Sequence, residues 1–187
     1  GVAPLAQFSA TTGISDPISE STLAQAYSLA ITDQVDVHSN SWGYPDGQSH
    51  PIVEESIENA YRNGRRSEVD GRARGMVILF ASGNSFEESL EYQEDLSTLT
   101  SVIGVGASNA ADRHSVYSNG SVVLDVCAPS NDFVALPGLV TTDNEDSAGY
   151  PDNGYNDGGL DGFSQGLDNQ GNYTATFGGT SGACPVA

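Results

Sequence analysis

Met76-Val77-Ile78-Leu79-Phe80 is an unbroken apolar run bounded by Gly75 and Gly83. A half-buried strand alternates apolar and polar residues, but this run does not. It therefore reads as a central strand covered on both faces, as in a parallel sheet. Two further segments, Ser101 to Ala107 and Val122 to Ala128, repeat the pattern with β-branched residues, and Gln34 to Asn40 carries Val35 and Val37 in strand alternation. Helical patterns lie between them. Asp16-Pro17 reads as a helix entry ahead of Ile18, Leu23, Ala26, Tyr27 and Ala30. Pro51 opens a second helix, with Ile52, Val53, Ile57, Ala60 and Tyr61 expected on its apolar side and Glu54, Glu55 and Glu58 facing water. Strands alternating with helices predict a layered α/β fold with a mostly parallel sheet.

Bulk properties narrow the classes. The 187 residues suit one domain with one sizeable core, and 37% hydrophobic content with 22 glycines describes a globular, loop-rich chain. Twenty-five acidic residues stand against 6 basic ones, all arginine, for a net charge of −19. That field repels nucleic acid and anionic membrane, so neither is an expected partner. No apolar run is long enough for membrane insertion. Cys127 and Cys184 form no disulfide framework and fit no zinc spacing, so both are read as buried free thiols, with a single bridge between them left open. Residues 143 to 172 are rich in Asp, Glu and Gly with no apolar period, and read as a long surface loop or insertion.

Three segments carry chemistry. In Phe177-Gly178-Gly179-Thr180-Ser181-Gly182-Ala183-Cys184-Pro185, a serine at a helix entry follows glycines that permit close backbone approach. Such a hydroxyl can attack a carbonyl, and the helix start favours the negative charge that develops. Asn84 ends the buried run through Ala81-Ser82-Gly83, at the strand edge where open α/β sheets bind ligands. Val37-His38-Ser39-Asn40-Ser41-Trp42-Gly43 is another strand running into glycine, suited to pairing with an extended peptide. Each segment alone also fits an ordinary turn or core packing.

Taken in order, Gly1-Val2-Ala3-Pro4, Ser41-Trp42-Gly43, Ala81-Ser82-Gly83-Asn84, Asp125-Val126-Cys127-Ala128-Pro129 and Gly179-Thr180-Ser181-Gly182-Ala183-Cys184-Pro185 resemble the subtilase family of serine proteases. The resemblance spans residues 1 to 187. It implies a subtilisin-like three-layer α/β fold, incomplete at both ends, with this chain as the C-terminal part of the catalytic domain. Ser39-Asn40-Ser41-Trp42-Gly43, Asp46 with Gly47, and Thr141-Thr142-Asp143 look most like the kexin-like branch.

By that resemblance, Ser181 is the nucleophile of a serine endopeptidase, and Asn84 with the Ser181 N–H forms the oxyanion hole. Ser41, Trp42, Gly43, Ala81, Ser82, Gly83 and Thr180 line the polypeptide substrate, and Asp46 falls where kexin-like enzymes receive a basic side chain. The family's catalytic Asp and His motifs precede the Gly-Val-Ala-Pro segment, so both are expected upstream of residue 1. His38, His50 and His114 match no catalytic motif.

The resemblance implies no cofactor for the chemistry and is compatible with structural calcium. Asp143, Glu145, Asp146, Asp152, Asp157 and Asp161 offer oxygen ligands, although a solvated insertion is the preferred reading and no ligand set is assigned. Asn119 follows Tyr117-Ser118 where kexin-like enzymes carry Glu, which weakens the charge that would recruit Arg or Lys. Export from the cell is expected by family resemblance. The second reading, an inactive subtilase-like binding or adhesion module, stays open because the acid and base lie outside the sequence. Oligomeric state is not fixed by it.

Overall fold

The computed structural model describes residues 4–10, 19–44, 48–85, 96–120, 124–132, 138–142 and 173–187. The expected helix entry at Asp16-Pro17, Asp46 and the acidic stretch 143–172 lie outside these residues.

The first helix, α1 (Glu20–Thr32), starts where the Ser19 hydroxyl accepts the Thr22 N–H at 3.2 Å, satisfying a donor that the first turn leaves open. Beyond it the chain does not enter a strand at once. Val35 N–H bonds back to the Ala30 carbonyl at 3.0 Å, and Gln34 takes φ 57°. The helix end thus keeps Val35, and β1 covers only Val37–Asn40 rather than the expected 34–40. The second helix, α2 (Pro51–Asn63), places Pro51 in its first turn, where a missing N–H costs nothing. The Glu54 carboxylate accepts the His50 N–H at 2.7 Å, satisfying a donor at the helix start from one position later than a capping box would. Val53, Ile57 and Ala60 are buried on one stripe. Ile52 and Tyr61, expected on that stripe, are exposed instead, because each lies about 100° round the helix from a buried neighbour.

Strands β1, β2 (Val77–Ala81), β3 (Ile103–Ser108) and β4 (Val126–Pro129) form one parallel sheet in the order β1-β2-β3-β4. In β2 the consecutive residues Ile78, Leu79 and Phe80 are all buried, so both faces are covered, as expected. Ile78 and Phe80 join Leu23, Tyr27, Val53, Ile57 and Leu96 under the two helices. Leu79 faces the other way, with Val105, Ala107, Tyr117, Ala128, Ala183 and Cys184. A separate antiparallel pair, β5 (Leu139–Thr142) with β6 (Tyr173–Phe177), leads into the short helix α3 (Thr180–Ala183) on this second face. The layers are therefore helices, sheet, and the α3 side.

Both cysteines are free. Cys184 is buried as expected, but Cys127 is exposed, because β4 is the last strand of the described sheet and only Ala128 of it points into the core. No helix among the described residues is long and apolar enough to cross a membrane.

Candidate active site

The carboxyl ends of β1 and β2 lie side by side, with Asn40 paired to Phe80. Ser41-Trp42-Gly43 leaves one strand and Ser82-Gly83-Asn84 the other, so two of the three predicted segments meet at one sheet edge. The third arrives from β6 through Gly178 and Gly179. Gly179 adopts φ 78°, a left-handed value that suits glycine, and this turns the chain into α3.

Hydrogen bonds stitch the three together. Thr180 is fully buried: its Oγ1 accepts the Gly83 N–H at 3.1 Å and donates to Asn84 Oδ1 at 3.0 Å, while its N–H donates to the same oxygen at 2.8 Å. A backbone N–H can only donate, so the Asn84 carbonyl oxygen must point at Thr180. The other end of the carboxamide, the Nδ2 donor pair, is thereby turned outward on an exposed side chain. Among the described residues neither Asn84 Nδ2 nor the Ser181 N–H has an acceptor. Both donors lie around Gly179, where an added side-chain carbon would sit 3.5 Å from Asn84 Nδ2 and 3.7 Å from the Ser181 nitrogen.

Ser181 is tied to the first segment. Its Oγ is 3.5 Å from the Ser41 carbonyl, and the Ser41 hydroxyl donates to the Ser181 carbonyl at 2.9 Å. Pro185 explains the second bond. It has no N–H to offer the carbonyl four residues back, and the Ser41 hydroxyl takes that place. Gly43 is exposed, with open space where a methyl would sit, and Trp42 packs edge-on against Phe80 with ring centroids 5.3 Å apart. Beneath Trp42 the buried Asn40 is fully satisfied. Its Oδ1 accepts from Tyr27 (3.1 Å) and from the Trp42 indole (3.2 Å), and its Nδ2 donates to the Leu79 carbonyl (3.0 Å). On the opposite side Ser82 is buried and donates to the Asn119 carbonyl at 3.2 Å, and Ala81 is half-buried.

Burial sets the ionisation of nearby groups. It pushes the Cys184 thiol up, against weaker opposing bonds from Ser39 and Asn40, so this group three residues past Ser181 stays protonated. Burial lowers His38, which stacks on Tyr27 at 4.8 Å on the helical face. His50 stacks on Tyr44 and bonds Glu20 at 3.2 Å. Among the described residues no histidine hydrogen-bonds Ser181 Oγ, and no group of three or more His, Cys, Asp or Glu could hold a metal ion. The residues named for calcium lie outside the described ones. An open acidic cavity of about 440 Å³ lies away from this edge, against Glu54, Glu55, Glu58 and residues 99–101. It contains no predicted site residue.

Sequence reasoning missed Tyr117, Ser130 and Asn131, which grip Gly179 from behind. Their only sequence signal was a Tyr and a Ser-Asn pair flanking the Asp-Val-x-Ala-Pro motif.

The fold and this edge define a three-layer α/β protein with a serine hydroxyl between two strand ends. Residues 1–187 match the subtilase family throughout, and the chain belongs to that family. It is 33% identical over 180 residues to proteins called calcium-dependent protease from Trichormus variabilis and from a Nostoc species, covering 88% of this chain and 25% of each. The chain thus spans about a quarter of the length of these curated relatives. Among solved structures, a lanthipeptide protease superposes with TM-score 0.61 at 19% identity, over 90% of this chain and 49% of that one. The Aeromonas sobria serine protease, solved with a chaperone, gives 0.64 at 21%, over 90% and 32%. At such identities the likeness concerns the fold.

Proposed function

We propose that the intact protein is a serine endopeptidase that cleaves polypeptides through an acyl-enzyme on Ser181. The observation that carries this reading is the Asn84 carboxamide. Thr180 fixes its carbonyl end, which leaves Nδ2 as the free end, and Nδ2 and the Ser181 nitrogen both lie within 3.7 Å of where a side-chain carbon at Gly179 would sit. Donors already aimed and already stripped of other partners cost no reorganisation when a carbonyl oxygen becomes an oxyanion. Ser181 Oγ attacks the scissile carbonyl carbon, and its proton passes to a histidine base. The tetrahedral intermediate collapses with release of the amine, and water then hydrolyses the ester. The histidine and its aspartate are proposed to lie N-terminal to residue 1, as the order of motifs in the family implies.

Ser41-Trp42-Gly43 and Ala81-Ser82-Gly83 would hold the substrate as an extended strand, with Thr180 keeping the second wall in place. The resemblance to the kexin-like branch, with Asp46 close in sequence to Gly43, favours a basic residue before the cleaved bond. Asn119 in place of Glu argues for a weaker preference. A structural calcium is supported by the naming of the relatives, and export from the cell by family resemblance and by the charge of −19.

The test is covalent labelling of the intact protein with a fluorophosphonate probe. Wild type is expected to be labelled on Ser181, and Ser181→Ala to lose the label. Equal labelling of the two would remove Ser181 as nucleophile.

A further inference from the structure

Gly178 and Gly179 join β6 to α3, and no residue type is freer to move than glycine. Yet a nucleophile two residues on must be held to well under an ångström for its attack to be efficient. Something outside the segment has to fix it. The Gly179 N–H donates to the Tyr117 hydroxyl at 3.0 Å, with Asn131 Oδ1 a second acceptor at 3.4 Å. The Gly179 carbonyl accepts from Ser130 Oγ at 2.8 Å. Asn131 Nδ2 donates to the Thr176 carbonyl at 2.8 Å, gripping the strand just before the glycines. A side-chain carbon added at Gly178 would fall 2.0 Å from the Asn131 carboxamide, so that group rests directly on the glycine.

The grip is itself anchored. The Tyr117 hydroxyl stands 3.0 Å from both Ser130 Oγ and Asn131 Oδ1, and the buried Ser115 hydroxyl donates to the Asn131 carbonyl at 2.6 Å. Tyr117 is 0% exposed, and Ser130 and Asn131 are buried. All four residues lie far from Gly179 in sequence, in the chain after β3 and just beyond β4.

We infer that Tyr117, Ser130 and Asn131 are positioning residues for the nucleophile, clamping both polar groups of Gly179 so that Ser181 presents its Oγ and N–H to the groove. The role rests on the reading of Ser181 as nucleophile. None of the three has a hydrogen bond to Ser181, so the clamp acts on the rate of attack rather than on substrate binding. A wholly apolar support would leave the Gly179 N–H without a partner in the interior, which is why this piece of the core is polar.

The experiment compares wild type, Tyr117→Phe, Ser130→Ala and a control, Val53→Ala on the helical face, in the intact protein. It reads the fluorophosphonate labelling rate at saturating probe, the half-saturating concentration, the unfolding midpoint and hydrogen exchange at the Gly179 amide. Each clamp variant is expected to label about 10- to 100-fold more slowly, with half-saturation within about twofold of wild type and faster Gly179 exchange. Val53→Ala is expected to lower the midpoint and leave labelling unchanged. Folded clamp variants that label like wild type would overturn the role, as would Val53→Ala slowing labelling as much as they do. If Tyr117→Phe does not fold, Ser130→Ala alone decides between these outcomes. Failure of wild type itself to label on Ser181 would overturn the nucleophile and the clamp together, a result distinct from fast labelling in the variants.

Discussion

The two faces of strand β2 are built differently. On the helical face Ile78 and Phe80 meet Leu23, Val53, Ile57 and Leu96, with non-directional apolar contact as the main bond. On the other face, Leu79 and Val105 give way within a few residues to Tyr117, Ser130, Asn131, Thr180 and Asn84, joined by hydrogen bonds of 2.8–3.4 Å. Apolar contact stabilises the fold but tolerates small shifts. Hydrogen bonds add less net stability but fix direction. The molecule therefore keeps its bulk on one face and its alignment on the other.

The comparison can be broken most forcefully at Phe80. It is fully buried, so Phe80→Ala is expected to cost about 3–5 kcal/mol, read as a large fall in the thermal midpoint. The fluorophosphonate labelling rate of the remaining folded protein at saturating probe should stay near wild type, while the half-saturating concentration rises, because Phe80 supports Trp42 in the proposed substrate groove. A rate that collapses in the folded variant would mean the two faces are not separable. Thr180→Val is the reciprocal change. It conserves shape but removes the oxygen that accepts from Gly83 and donates to Asn84. The expected stability loss is smaller, about 1–3 kcal/mol. Labelling should fall at least about tenfold, because Asn84 loses one of its two restraints. Unchanged labelling would show that the Thr180 N–H alone suffices.

The smallest effect concerns His38 on the helical face. Burial lowers its affinity for protons below that of the unfolded chain, whose histidine titrates near about 6.5. Below that pH the unfolded state binds more protons than the folded one. Stability is then full above about 6.5 and falls as pH drops from there toward the lower folded value. His38→Gln should flatten this part of the stability profile, measured by denaturant unfolding between pH 7 and 5 (about the titration range of histidine). An unaltered slope would assign it to other groups.

What was legible in the sequence followed from local pattern. An apolar run with no alternation announced β2, Pro51 announced α2, and the glycines with Thr180-Ser181 announced the turn into α3. Local pattern also marked its own limits. Val35 is β-branched and looked like strand, but a local helix-ending turn, with Gln34 at positive φ, kept it in the α1 terminus through its bond to Ala30. Ile52 and Tyr61 are apolar and adjacent to the buried stripe, yet a helix turns them away from it. Cys127 looked buried by composition, and the edge of the described sheet exposed it. The clamp was illegible for a different reason: Tyr117 and Asn131 act 62 and 48 residues from Gly179, and no periodicity encodes such a contact.

The orientation of the Asn84 carboxamide is the central claim, and Asn84→Ala in the intact protein tests it most directly through peptide hydrolysis. The expected result is a kcat lower by about 10²–10³ with KM little changed, the order found when one oxyanion donor is removed from a protease of this kind. A folded Asn84→Ala variant that turns over substrate as fast as wild type would contradict it.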